Sequence, residues 1–339
     1  MCENAVNARV PVAVPGARGS SPLLKKVAGA VAATAALGAA TAAYGHFIEL
    51  NNFQLRTESL PVLPVGSPDF MILHISDMHM IPGQQKKIDF MHSLAALEPD
   101  LVMNTGDNLS HVDGMGPLLE ALDPLMDFPG VFVPGSNCYF APVFKNPARY
   151  LWQPRTPQMI EEGSRVALPI ERMHEAFESR GWTGLVNRYD TLNLKGLRLE
   201  FSGVDDPHLR YDEHPGFAPG AFDESAEPSV RIGVAHAPYM RTLHRFVQDG
   251  AQAIFAGHTH GGQVCLPGGH ALVSNCDLPP SRAKGVSEQS GIPVQVSAGL
   301  GTSRFAPVRL FCPPEAILVT LTARDKEQGA SATSAGGRL

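Results

Sequence analysis

Apolar positions follow two patterns along the chain. From Val27 to Ile48 the run VAGAVAATAALGAATAAYGHFI carries no charge until Glu49 closes it; as a helix it extends ~33 Å at ~1.5 Å per residue, enough for a bilayer core of ~30 Å. From Asp69 onward the runs are short and end in polar residues. DFMILHIS reads as a strand leading into DMH, Gln85 to Leu97 as an amphipathic helix, and DLVMNTGD as a second strand ending in Gly-Asp. Met115 to Met126 reads as a helix broken by Pro124, and GVFVPGSN as a third strand running into a turn. This β-α-β-α-β order predicts an α/β sheet with its ligand crevice at the carboxyl ends of the strands.

Residues 139–170 are Pro-rich and loop-like, and Pro169 to Arg180 has a helical pattern stopped by Gly181. Thr191–Leu194 and Leu197–Ser202, joined by Lys195-Gly196, predict a hairpin. VRIGVAH, AQAIFAGH, GIPVQVSAG and AILVTL supply further short strands. Residues 1–22, rich in Ala, Val, Pro, Gly and Ser and without periodicity, and the small, polar residues 323–339 are expected to be a disordered arm and tail. The expected domain is 51–322, and 23–50 is an anchor or signal-like helix.

Lys25 and Lys26 precede the Ala-rich run and no basic residue follows it closely. That asymmetry favours an N-terminus inside and a body on the outer face of a membrane. A cleaved signal peptide, with ATAAYG offering small residues for cleavage, and a soluble Ala-rich helix are the alternatives. The remaining composition narrows the partners. A net charge of −6 over 339 residues excludes a nucleic-acid partner, which needs a basic surface. Five cysteines with no CxxC describe no disulfide framework, although a Cys265–Cys276 bridge stays open.

Polar residues at the strand ends carry the chemistry. In chain order they are Asp77 and His79 in SDMH, Asp107 in TGDN, Asn137 in GSNC, His236 in VAHAP, and His258 and His260 in AGHTHGG. Carboxylate, imidazole and amide oxygen make a mixed O/N donor set suited to divalent Mn, Fe or Zn. Seven ligands with one bridging carboxylate fill two metal sites.

This succession of D-x-H, G-D, a Gly/Asn turn, a lone His and G-H-x-H resembles the calcineurin-like metallophosphoesterase superfamily. GHTHGGQV together with SAGLGTSRFAPVRLFCPPEAILVTL is similar to its membrane-associated bacterial phosphodiesterase branch. The resemblance implies two packed mixed β-sheets flanked by helices, beside the N-terminal hydrophobic helix. It implies Asp77, His79 and His260 on one metal, Asn137, His236 and His258 on a second, and Asp107 bridging them. The implied activity is hydrolysis of phosphodiester or pyrophosphate bonds through a metal-bridging water, with a phosphorylated small-molecule or lipid-linked substrate.

One motif departs from the family. Its usual turn is Gly-Asn-His, in which the His protonates the leaving group; here it is Gly135-Ser136-Asn137-Cys138. Without a gap, Ser136 replaces the ligand and Asn137 the His; shifted by one, Asn137 keeps the metal and Cys138 stands at the donor position. The second register is favoured because an amide oxygen is a better ligand for a hard cation than a neutral hydroxyl. It makes Asp107, Asn137, Cys138 and His258 the catalytic set, and Cys138→His a change that restores turnover. His111, His208 and His214 are possible substitutes for the donor. Tyr139 to Arg155 mixes aromatic and basic residues, as would a cap packed on neighbouring loops with its basic groups solvated, the favoured reading, or a lid contacting an anionic substrate or the membrane surface. A metal- and phosphate-binding sensor with little catalysis, and a mononuclear amide hydrolase, are the competing readings.

Overall fold

The computed structural model describes residues 22–143, 165–219 and 228–324. All but the last residue of the expected arm, all but the first two residues of the expected tail, and all but the first five residues of the lid segment lie outside them; Pro22 begins a helix and Ala323 ends a strand. The chain divides into two units, Met1–Ala43 and Tyr44–Leu339. In the first, α1 (Pro22–Phe47) begins and runs unbroken past the unit boundary. The helical segment Lys25–Asn51 holds an 18-residue window of mean hydropathy 1.5, none of it buried, so α1 is long and apolar enough to be a membrane anchor or a signal sequence.

The second unit is built on two six-stranded sheets. Its elements are β1 (Gln54–Leu63), β2 (Phe70–Ile75), α2 (Gln85–Ser93), β3 (Leu101–Asn104), α3 (Met115–Leu122), β4 (Gly130–Phe132), the single turn α4 (Ser136–Tyr139), α5 (Ile170–Ser179) and β5 (Thr183–Gly184). There follow β6 (Arg188–Leu194), β7 (Leu197–Gly203), β8 (Ser229–Val234), α6 (Met240–Gln248), β9 (Ala253–Ala256), the short pair β10 (Cys265–Leu266) and β11 (His270–Ala271), β12 (Gly285–Gln289), β13 (Ile292–Val296) and β14 (Glu315–Ala323).

The first sheet has the order β1-β14-β2-β3-β4-β5, and the second β12-β13-β9-β8-β7-β6. The predicted β-α-β-α-β unit is present, with β2, β3 and β4 parallel. The β6–β7 hairpin is also present, and Lys195 and Gly196 both take the positive φ that a two-residue hairpin turn needs. β1 escaped the sequence reading because QLRTESLPVL has mixed polarity at a sheet edge and a Pro within it.

Burial follows the pattern of each strand. β2 is buried along nearly its whole length because both its faces are covered. Phe70 and Ile72 join Phe201, Val230, Ile232 and Phe255 in the core between the sheets. Leu73 and Ile75 instead join Met91, Leu118, Met173 and Phe177 under α2, α3 and α5. On the far side, α6 packs Leu243 and Phe246 against Ile254, Val294 and Val296. The result is helix, sheet, sheet, helix, with the parallel strands of both sheets ending along one edge.

Cys138, Cys265, Cys276 and Cys312 are buried free thiols. The open Cys265–Cys276 bridge is not formed, and these two cysteines lie in different apolar clusters.

Candidate metal centre

Five strand ends supply the site: β2 leads to Asp77 and His79, β3 to Asp107, β4 to Asn137, β8 to His236, and β9 to His258 and His260. Asp77 N–H donates to Gly106 O (2.8 Å) and His79 N–H to Asp107 O (2.9 Å), which clamps the first two loops together. The two sheets meet where His258 N–H donates to Asp77 Oδ2 (2.9 Å).

Close approach requires glycine at two points. A Cβ on Gly257 would run into Ser76 Oγ and Asp77 Oδ2, and one on Gly135 into Asp107 and the His236 ring. Asp77, His79, Asp107, His258 and His260 all have φ between 46° and 69°. Left-handed backbone is uncommon outside glycine and clusters at functional sites, where the surrounding structure holds it.

The imidazoles are aimed by their second nitrogens. His236 Nδ1 lies 2.8 Å from Thr105 O, and His260 Nδ1 3.1 Å from Gly301 O. A carbonyl only accepts, so both rings donate from Nδ1 and, when neutral, present a bare Nε2. His79 Nδ1 is held by Ser110 Oγ at 2.8 Å. His258 is turned the other way, with Nε2 3.3 Å from Asn275 O and Nδ1 facing inward.

These inward atoms crowd together. His79 Nε2 is 3.2 Å from His260 Nε2, and His258 Nδ1 is 3.3 Å from His236 Nε2. Asp77 Oδ1 lies 3.6 Å from His260 Nε2 and 4.0 Å from His79 Nε2. Asp107 reaches both groups, with Oδ2 3.6 Å from His79 Nε2 and Oδ1 3.4 Å from His236 Nε2. Asn137 donates to Asp107 through its backbone N–H and through Nδ2, each at 2.7 Å.

The residues present fit a cation. Asp77 Oδ1 is buried and has no hydrogen-bond partner, an arrangement costly for a carboxylate unless positive charge faces it. Burial pushes Asp77 up to about 6, and pushes His79 down to about 4 and His258 and His260 well below the usual imidazole range. Neutral imidazole is the ligand form. Burial disfavours charge on Asp107 and His236 as well, but each supports the other: Asp107 is held well below the carboxylate range and His236 is raised to about 10. Two sets, Asp77/His79/His260 and Asp77/Asp107/His236, have donor atoms spaced for a metal ion.

Six of the seven predicted ligands, Asp77, His79, Asp107, His236, His258 and His260, meet within hydrogen-bonding or ion-pair distance, and Asn137 joins them through Asp107. Cys138 does not. Its side chain is fully buried in the core under α2, α3 and α5, with Asn108 Nδ2 3.7 Å from Sγ. Burial pushes its thiol up to about 12.

Of the proposed substitutes, His208 lies at the site, its ring 4.8 Å from that of His258 and its Nδ1 3.0 Å from Tyr239 Oη. His111 caps a short turn by accepting from Asp113 N–H, and His214 packs on Phe246.

Several supporting residues had no sequence signal. Ser110, Thr105 and Asn275 orient imidazoles from ordinary loop positions. Arg309 is fully buried and donates to the carbonyls of Ala298, Gly299 and Gly301, which fixes the Gly301 carbonyl that His260 uses.

The chain is 26% identical to the uncharacterized protein YpbG of Bacillus subtilis (strain 168) over 79% of this chain and 87% of that one. It is 23% identical to the uncharacterized metallophosphoesterase YkuE of the same organism over 88% and 96%. Among solved structures it is similar to a dimetal phosphatase from Danio rerio, at 10% identity over 76% of this chain and 94% of that one, with a TM-score of 0.39. Residues 70–262, more than half of the sequence and including all seven strand-end residues, match the model of one family: the chain belongs to the calcineurin-like phosphoesterases.

Proposed function

We propose that residues 51–322 form a binuclear metal-dependent phosphoesterase acting on phosphodiester or pyrophosphate bonds. One observation carries the reading: Asp107 lies between two groups of inward-facing nitrogen and oxygen donors, reaching His79 with one oxygen and His236 with the other. Asp77, His79 and His260 would hold one divalent ion, Mn, Fe or Zn, and Asn137, His236 and His258 a second, with Asp107 shared. Bound there, such ions supply a water of lowered pKa and positive charge for the phosphoryl oxygens.

The protein's own groups do the positioning. Asp107 supplies negative charge between two centres of positive charge, and Asn137 holds that carboxylate through two hydrogen bonds. The carbonyls of Thr105 and Gly301 keep His236 and His260 in the tautomer that leaves Nε2 bare. His208, beside His258, is the imidazole placed to hand a proton to a leaving group. α1 would anchor this body to a membrane, with the body on the outer face.

The buried thiol of Cys138 favours a second reading, a metal- and phosphate-binding sensor of the same fold that turns over slowly. Hydrolysis of bis(4-nitrophenyl) phosphate by the full chain with added manganese separates the two. The enzyme reading predicts turnover that disappears in His258→Ala. Metal binding without turnover of this activated ester supports the sensor.

A further inference from the structure

A cavity of about 550 Å³ opens beside the candidate metal centre, and His79 belongs to both. That volume is typical of a site for an organic ligand. Its basic lining residues are Lys86, Lys87 and Arg304, and no Asp or Glu lines it, although acidic residues outnumber basic ones by 33 to 27 in the whole chain. Leu50, Phe53, Ile81 and Leu300 supply apolar wall. A ligand that suits both linings is an anion with an apolar part.

The segment that walls this cavity includes the carboxyl end of the apolar run. His46 and Leu50 line it, and they stand only three and seven residues beyond Ala43, the last residue of the first unit. There is no spacer, because residues 45–49 are tied into the body. Gly45 O accepts from Arg309 N–H (3.2 Å), His46 Nδ1 lies 2.6 Å from Pro307 O, and Glu49 Oε1 accepts from Cys312 N–H (2.6 Å).

The segments joined by these bonds leave large apolar side chains in the open: Tyr44 (44%), Phe47 (70%), Ile48 (59%), Phe305 (38%) and Phe311 (44%). Arg304 lies over the Phe305 ring at 4.8 Å. Single exposed apolar residues need no explanation, but aromatic groups gathered on bonded segments of one unit, with a cation among them, have the composition of a bilayer interface.

We propose that the cavity beside His79 binds an amphiphilic phosphate ester presented by the lipid bilayer. The phosphate meets the metal residues, Lys86 and Arg304 complement the negative charge, and the alkyl part leaves past His46 and Leu50 toward the surface bearing Phe47, Ile48 and Phe305. This assignment rests on the phosphoesterase reading for its chemistry, but not for its location.

The test uses the full chain, manganese-loaded, in phosphatidylcholine vesicles containing some phosphatidylglycerol. A hydrolysis-resistant alkyl phosphonate with a diazirine near the middle of its tail is photolysed, and the labelled peptides are mapped by mass spectrometry. Label is expected on residues 46–53 and 300–307 in the wild type, and is expected to fall ~10-fold in Arg304→Glu through repulsion of the anion. In parallel, hexadecyl 4-nitrophenyl phosphate should show at least ~10-fold higher kcat/KM than methyl 4-nitrophenyl phosphate, since burying even a few CH₂ groups is sufficient for that ratio.

Label confined to other segments, or displaced by lipid alone, overturns the assignment, as does equal turnover of the two esters. Hydrolysis of the methyl ester with no label at 46–53 would leave the phosphoesterase reading standing and remove this one. Label in the expected segments with neither ester hydrolysed would support the binding site and remove the phosphoesterase reading.

Discussion

Two turns that the sequence presents as ligand motifs behave differently. The 257–261 turn presents both its imidazoles to the site: His258 and His260 each take a positive φ, and each ring is held from behind by a carbonyl. In the 135–139 turn only one of the two neighbouring residues faces the site. Residues 136–139 form a helical turn, where successive side chains diverge by about 100°. Asn137 therefore reaches Asp107 while Cys138 enters the core. Spacing in sequence locates ligands only once the backbone between them is known.

The comparison breaks most severely at Asp107, the carboxylate that the 135–139 turn holds through Asn137. Asp107→Ala removes the shared carboxylate, and all measurable turnover of bis(4-nitrophenyl) phosphate should be lost; retained turnover would show that the two donor groups act independently. His208→Ala tests whether the proton donor belongs to the His258 side of the site. Turnover of alkyl phosphodiesters should fall ~100-fold and that of nitrophenyl esters much less, because general-acid catalysis matters most for poor leaving groups. Equal losses on both would assign His208 a packing role.

Cys138 sharpens the contrast from the other side. Cys138→Ala should leave turnover within ~2-fold and cost ~1–2 kcal/mol of stability, a usual range for loss of buried packing. Cys138→His, which sequence reasoning expects to restore turnover, should instead lower the Tm without raising activity, because the imidazole would enter an apolar core. A rise in turnover would place residue 138 at the site after all.

The smallest effect concerns a charge behind the site. Burial lowers Lys87 to about 7, and its Nζ lies 2.5 Å from Met78 O. The folded state therefore holds the Lys87 proton less tightly than the unfolded chain does. Stability from this group rises with pH between about 7 and the ordinary lysine value, and the penalty is complete below that window. Lys87→Met should gain most in Tm relative to wild type near pH 6, and the gain should shrink toward pH 10. A gain independent of pH would contradict the linkage.

Much of this was legible in the sequence, for reasons that differ by residue. β2, β3, β4, β8 and β9 announce themselves because each is a short apolar run ending in a polar turn, and that ending places Asp77, Asp107 and His236 along one edge. The i, i+2 pair His258/His260 survives as a pair because both residues take the same left-handed backbone, with φ of 69° and 51°. Other features depend on tertiary contact alone. β1 is a sheet edge of mixed polarity whose partner, β14, lies more than 250 residues away. Arg309 reads as an ordinary surface cation until its five carbonyl partners surround it. The direction taken by Cys138 follows from one helical turn that a Gly-Ser-Asn-Cys string does not announce.

Metal content measured on the full chain, loaded with manganese and freed of excess, tests the central claim most directly. The account predicts two ions per chain in the wild type and no more than one in Asp107→Ala. A wild-type protein that saturates at one ion, or an Asp107→Ala variant that still holds two, would contradict it.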